Sequence, residues 1–293
     1  MDTEAKIVLI TGATSGIGKE ALKELVKKGG YKIIIHGRNS EKIKSTVDEI
    51  KKEYPNADLD TLKADLESLA EVKKMADEFK SKYDHLDVLI NNAGNQYGGS
   101  WEATAEGHEK TMCVNTFSPF LLTLLLLKPL EKSGEGRVVT CSSAAHTMGG
   151  QPYLDDIELK DHYSYTRAYG LSKLYVIWIM RHFVKYCQNN NIKNVTFNCV
   201  HPASTKTNLG NTGNRPYYLR PIFFLWGLFM TIPLDKATWS TVYAATSNEL
   251  TGVNNKYIGP NGEEKVDETY YTEENEEKIW NYCLRICQQY LEN

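Results

Sequence analysis

The chain has 293 residues, of which 41% are hydrophobic and 24% charged, with a formal net charge of −3. These are ordinary globular values, enough for one large or two small α/β domains, and no helical repeat, collagen period or charge block is visible. The near-neutral balance gives no hint of nucleic-acid binding.

The cysteines, Cys113, Cys141, Cys187, Cys199, Cys283 and Cys287, are scattered, with no C-x-x-C pair and no His/Cys cluster at zinc spacing. No metal site is expected, and the usage points to a reducing compartment. The charged start, Met1 to Lys6, reads as neither a signal peptide nor a membrane anchor. Two runs are strongly apolar, Phe117 to Leu127 and Ile222 to Pro233. Each is shorter than the roughly 20 residues that span a bilayer. A cytoplasmic protein, peripheral to a membrane at most, is the expectation.

In chain order, Lys6 to Ile10 is a short β-branched run followed by Thr11-Gly12-Ala13-Thr14-Ser15-Gly16-Ile17-Gly18. Helical spacing then covers Lys19 to Lys28 and stops at Gly29-Gly30. Strand, glycine turn and helix form the frame in which such a loop lets a pyrophosphate approach a helix N-terminus. The next strand, Tyr31 to Ile35, ends at His36-Gly37-Arg38-Asn39. In a dinucleotide fold an acid here takes the ribose 2′-hydroxyl, whereas an arginine accommodates a 2′-phosphate. No Asp or Glu occurs between Tyr31 and Ser40 and Arg38 is in place, so NADP(H) is expected over NAD(H).

A helix over Ser40 to Glu53 leads to a strand over Leu59 to Ala64, closed by Asp65-Leu66. A helix over Leu69 to Lys82 leads to a strand over Leu86 to Ile90, closed by Asn91-Asn92-Ala93-Gly94. A long apolar helix is expected from Ala105 to Leu130, carrying Asn115. Arg137 to Cys141 reads as a fifth strand, Tyr169 to Gln188 as a helix and Val195 to Val200 as a sixth strand. A seventh strand near Lys256 to Ile258 and a tail helix from Glu273 to Tyr290 follow. Alternating strands and helices predict one doubly wound parallel sheet over residues 1–293, a Rossmann-type α/β fold. Its ligands bind at the carboxyl ends of the strands.

Within Tyr169-Gly170-Leu171-Ser172-Lys173, a helix puts the phenol and the ammonium one turn apart. A fixed cation beside a phenol lowers its pKa from roughly 10, making it a proton donor and acceptor near neutral pH.

These motifs together resemble the short-chain dehydrogenase/reductase family over essentially the full length. The matches fall in order: Thr11-Gly12-x-x-x-Gly16-Ile17-Gly18, Asn91-Asn92-Ala93-Gly94, Asn115, Ser143, Tyr169-x-x-x-Lys173 and His201-Pro202. Cys141-Ser142-Ser143-Ala144-Ala145-His146, the long insertion before Tyr169 and Ala168-Tyr169-Gly170-Leu171-Ser172-Lys173-Leu174 are similar to the retinol-dehydrogenase-like branch. The resemblance implies a tetrad: Tyr169 as general acid/base, Lys173 tuning it and holding the nicotinamide ribose, Ser143 on the substrate oxygen, and Asn115 positioning a water in a proton relay. Ser143 is preferred over Ser142 because it stands six residues after Arg137, the family's usual spacing.

For the cofactor, the resemblance implies Gly12, Thr14, Ser15, Gly16, Ile17, Gly18 and Arg38 at the pyrophosphate and 2′-phosphate end. Asp65 and Leu66 would flank adenine, Asn92 and Gly94 the adjacent ribose, and Thr205, after Pro202, the carboxamide. Ala203 and Thr205 stand where the family usually has Gly and Val. A substrate lid is implied over 208–235, and its apolar stretch 222–230 suits a lipophilic alcohol, ketone or aldehyde of retinoid, steroid or xenobiotic type. The same stretch is also a candidate for peripheral membrane contact, and the family's long helices for a homodimer. The expected activity is an NADP-dependent dehydrogenase/reductase. The alternatives are an NAD-linked alcohol dehydrogenase and a non-catalytic cofactor-binding sensor of the same fold.

Overall fold

A computed structural model describes residues 5–202 and 234–291. Thr205, Ala203 and all of the expected lid over 208–235 up to residue 233, with its 222–230 stretch, lie outside the described residues.

The strands are β1 (Lys6–Ile10), β2 (Tyr31–Gly37), β3 (Asp58–Lys63), β4 (Val88–Asn91), β5 (Gly136–Cys141), β6 (Val195–Val200), β7 (Tyr257–Gly259) and β8 (Gly262–Glu263). They form one sheet in the order β3-β2-β1-β4-β5-β6-β7-β8. Every pairing is parallel except β7 with β8, a short hairpin at the edge; β7 is the seventh strand expected near Lys256 to Ile258, and β8 has no counterpart in the sequence reading. The helices are α1 (Gly16–Lys28), α2 (Ser40–Glu53), α3 (Leu69–Lys82), α4 (Lys110–Met112), α5 (Ser118–Leu125), α6 (Leu127–Lys132), α7 (Tyr165–Asn189), α8 (Leu234–Ala237), α9 (Trp239–Thr246) and α10 (Glu273–Leu291).

Both sheet faces are covered, so β1 reads as an unbroken apolar run rather than an alternating one. Ile7 and Leu9 enter one core with α3, α5, α7 and α10. Val8 and Ile10 enter the other with α1, α2 and α9. This is the doubly wound α/β fold the sequence predicts. The strand order reverses between β1 and β4, and the crevice above that point is where such sheets bind ligands.

The helix expected over Ala105 to Leu130 is not continuous. It begins at Lys110, because the Glu109 carboxylate caps the N–H groups of Thr111 and Met112 at 3.0 and 2.7 Å. Cys113–Phe117 then forms a π turn, in which the Ser118 N–H bonds the Cys113 carbonyl five residues back. Pro119 has no N–H to give the Asn115 carbonyl four residues before it, a local reason for the widening. The helix breaks again at Leu126. Periodicity alone misses these interruptions, since every residue through the turn stays buried.

Helix α7 starts at Tyr165, four residues before Tyr169, capped by the Ser164 hydroxyl. It lies against the 3₁₀ turn Ala144–Met148 with almost no clearance. A Cβ at Gly170 would stand 2.5 Å from the Gly149 nitrogen, and one at Gly149 would stand 2.7 Å from the Leu171 nitrogen. Gly170→Ala must therefore push α7 off the Ser143 segment. Overpacking of this kind costs about 1–3 kcal/mol, so a Tm lower by roughly 2–10 °C is expected, together with a fall in turnover. An unchanged Tm in thermal unfolding would refute the tight contact.

Candidate active site

The crevice is a cavity of about 470 Å³. One end is walled by Gly12, Thr14, Ser15, Gly16, Ile17 and Gly18, with Arg38, Asp65 and Leu66 beside them, and the other by Asn92, Gly94, Tyr169 and Lys173. Residues widely separated in sequence meet here because most end a strand or open a helix at the sheet's carboxyl edge, while Tyr169 and Lys173 come from the first turns of α7.

The glycine loop is held from three sides. Gly12 and Gly16 have positive φ, +66° and +54°, which glycine adopts without strain. A Cβ on Gly18 would lie 2.3 Å from Asn92 Nδ2 and 2.5 Å from the Gly12 carbonyl, so only glycine fits. Asn92 Nδ2 donates to the Thr11 carbonyl at 2.8 Å, and the Thr11 hydroxyl accepts from the Asn92 and Ala93 N–H groups, each at 3.0 Å. Helix α1 carries no acid in its first turn, leaving its positive N-terminal end facing the cavity for an anion.

Sequence reasoning missed His36. The ring is 2% exposed; Nδ1 accepts from the Gly12 N–H at 3.2 Å, and Nε2 lies 3.1 Å from the Ala64 carbonyl. The first contact makes Nδ1 the acceptor, so the proton is on Nε2. Burial pulls the imidazole down to about 4, against the smaller opposing effect of the Ala64 carbonyl. A neutral histidine thus pins the loop to the ends of β2 and β3. The available signal was a histidine interrupting the apolar run just before Gly37. Lys42, which also lines the cavity beside Arg38 and Asn39, carried no sequence signal.

At the other end, Lys173 is 3% exposed and its Nζ donates to the Cys141 carbonyl at 2.9 Å. The Ser142 hydroxyl donates to the Lys173 carbonyl at 2.8 Å. Ser142 is thereby committed to structure, whereas Ser143 is half-buried and its hydroxyl acts to lower the pKa of the Tyr169 phenol. Ser143 Oγ also accepts from the Ala145 N–H at 3.1 Å, which fixes its place.

Asn115 is fully engaged. Oδ1 accepts from the Asn95 N–H at 2.8 Å, and Nδ2 donates to the Asn95 carbonyl at 2.8 Å and to Ser172 Oγ at 2.9 Å. Its amide therefore clamps the loop after β4 to α7. A Cβ on Gly94 would lie 3.1 Å from Lys173 Nζ and 3.2 Å from Asn115 Oδ1, so that glycine admits both groups to one small space.

The expectation that Lys173 pulls the phenol toward neutrality needs correcting. Burial pushes Tyr169 up to about 12, outweighing the Ser143 hydrogen bond. Burial also brings Lys173 down to about 8. The ammonium lies 5.9 Å from the centroid of the tyrosine ring, and one helical turn of spacing does not offset desolvation of both groups. Near pH 7 the phenol is protonated and the amine charged, so the site presents two hydroxyl donors backed by a buried cation. Such donors stabilise negative charge growing on a substrate oxygen.

His36 gives a pH signature. Its pKa is lower folded than the roughly 6.5 of an unfolded chain, so the unfolded state binds more protons between about 4 and 6.5. Its contribution to stability is complete above that window and is lost as pH falls through it. His36→Asn, which keeps an acceptor but does not titrate, should flatten this acid limb in urea unfolding at several pH values. An identical pH dependence in wild type and variant would refute the assignment.

Comparison with known proteins agrees with this geometry. The family model for short chain dehydrogenases matches residues 6–217. Human polyprenol dehydrogenase is 33% identical over 280 residues, covering 94% of this chain and 83% of its own. Human retinol dehydrogenase 14 is 32% identical over 291 residues, covering 94% and 84%. Among solved structures, a putative short chain dehydrogenase from Escherichia coli CFT073 complexed with NADPH aligns with a TM-score of 0.66 at 23% identity, covering 87% of this chain and 96% of that one. The sheet order, the ordered motifs and these likenesses converge: the chain belongs to the short-chain dehydrogenase/reductase family of oxidoreductases, in its retinol-dehydrogenase-like branch.

Proposed function

We propose that this protein is an NADP(H)-dependent dehydrogenase/reductase acting on a lipophilic alcohol, ketone or aldehyde through Asn115, Ser143, Tyr169 and Lys173. The observation that carries the reading is the pairing of two sites in one cavity. Protonated Tyr169 stands with Lys173 at one end, and Arg38, Lys42 and the α1 N-terminus stand at the other. Glycine backbone and a helix N-terminus suit a pyrophosphate, and the two cations suit a 2′-phosphate. The NADPH held by the Escherichia coli relative is in keeping with this choice. The names of the relatives, polyprenol and retinol dehydrogenases, and the apolar run 222–230 support a lipophilic substrate.

The nicotinamide supplies the hydride when bound. The chain's own residues handle the proton and the charge. In the reductive direction Ser143 and Tyr169 donate hydrogen bonds to the carbonyl oxygen, and Tyr169 releases its proton to the oxygen as charge develops. Charged Lys173 stabilises the phenolate left behind, and the π turn and Asn115 keep α7 in register with the loop after β4. In the oxidative direction Tyr169 must first lose its proton, so oxidation gains as pH rises.

A panel of small and long-chain carbonyls with NADPH and NADH, followed by cofactor absorbance, tests the reading; no turnover of any carbonyl or alcohol would refute it. Tyr169→Phe should cut turnover at least ~100-fold, the usual scale of a positioned general acid, with NADPH affinity nearly unchanged. Most of the wild-type rate surviving in that variant would overturn the assignment of Tyr169. Carbonyl reduction should decline above about pH 8 as Lys173 loses its proton, while alcohol oxidation climbs over the same range. Parallel pH profiles in the two directions would contradict the proton roles.

A further inference from the structure

The end of β2 carries no acid, but the fold brings one to it from the neighbouring strand. In the parallel pairing of β2 with β3, Gly37 stands opposite Lys63, so the loops leaving both strands emerge side by side. Glu67, in the loop after β3, places Oε1 3.5 Å from Arg38 Nη1. The carboxylate is the fixed partner of the two. Oε1 accepts from the Tyr97 hydroxyl at 2.6 Å, and Oε2 lies 3.8 Å from Lys110 Nζ. The Glu67 N–H donates to Asp65 Oδ1 at 3.0 Å, tying it to a residue of the cavity wall. Its side chain is 23% exposed against 51% for Arg38, so the guanidinium is the group free to turn. Burial and the Glu67 hydrogen bond both raise the Tyr97 phenol above its usual range, so it remains a proton donor to the carboxylate.

We infer that Glu67 tunes the selectivity between NADP(H) and NAD(H) by holding Arg38. The inference rests on the cofactor reading proposed above and refines it. The carboxylate competes with a 2′-phosphate for the guanidinium. Arg38 pairs with the phosphate only when it turns from Glu67 toward Lys42 and Asn39 at the cavity wall. The corner therefore admits both nucleotides, and the preference for NADPH is weaker than Arg38 alone would give.

Fluorescence titration of the full chain with NADPH and with NADH tests this in wild type, Glu67→Gln, Arg38→Gln and the double variant. Glu67→Gln keeps the size of the side chain and removes its charge. The ratio of NADPH to NADH affinity should rise about three- to tenfold in it, the scale of a partly exposed charged pair. In the Arg38→Gln background the same substitution should move the ratio less than about twofold, because there is no guanidinium left to release. A ratio unmoved by Glu67→Gln in protein with the wild-type Tm would overturn the inference while leaving the cofactor reading intact. An equal rise with and without Arg38 would overturn the holding role and leave only direct repulsion. Wild type that binds neither nucleotide would overturn both readings together.

Discussion

The Tyr169 end of the cavity depends on the burial of one amine. Lys173 is almost fully removed from water, and a buried ammonium survives only if its surroundings offer oxygen. The Cys141 carbonyl at the end of β5 supplies it, and the chain then secures the backbone around the lysine. Ser142 donates to the Lys173 carbonyl, Thr116 donates to that of Ser172, and Asn115 donates to the Ser172 hydroxyl. Three elements distant in sequence, the π turn, β5 and α7, are thus locked at one point. Tyr169 takes its position from that lock and from the glycine contact that lets α7 touch the Ser143 segment.

The opposite end of the cavity uses backbone rather than side-chain charge. The glycine loop, the α1 N-terminus and the tethered Asn92 form a concave wall of N–H groups and small residues at the point where strand order reverses. His36 works there because it is neutral: one nitrogen accepts from Gly12 and the other donates to Ala64, and a charged ring would lose the first contact. The charged groups stand further out, where Arg38 and Lys42 line the corner nearest β2 and β3 and Glu67 lies behind Arg38.

A third region fixes the start of the π-turn segment. Glu158, buried in the long insertion before α7, accepts from the Glu109 N–H at 2.6 Å and pairs with His108 at 3.0 Å and with the Tyr282 hydroxyl of α10. Burial alone would raise its pKa, but these hydrogen bonds outweigh that and hold the carboxylate ionised. The neighbouring Glu109 is driven the other way, up to about 7, chiefly by burial. The insertion and the tail helix therefore act on Asn115 at second hand, through the residues that begin its helix. Among the described residues no helix is long and apolar enough to cross a membrane.

Much of this was legible in the sequence because it is local. Runs such as Lys6 to Ile10 and Val195 to Val200, each bounded by polar turns, mark buried parallel strands, and Gly12, Gly16 and Gly18 mark a turn that side chains would obstruct. The ordered motifs up to Tyr169 and Lys173 mark the family, and all the described residues among them collect in or beside one cavity. Tertiary structure alone decided what depends on neighbours distant in the chain. The π turn and the break at Leu126 are invisible to apolar periodicity, and the two-residue β8 is too short to leave a pattern. His36 and Glu67 gained their importance only when parallel pairing set the ends of β2 and β3 beside the glycine loop. The protonation of Tyr169 and Lys173 followed the same logic: spacing along the helix predicts that the two meet, but the depth of burial keeps the phenol protonated and brings the amine down toward neutrality.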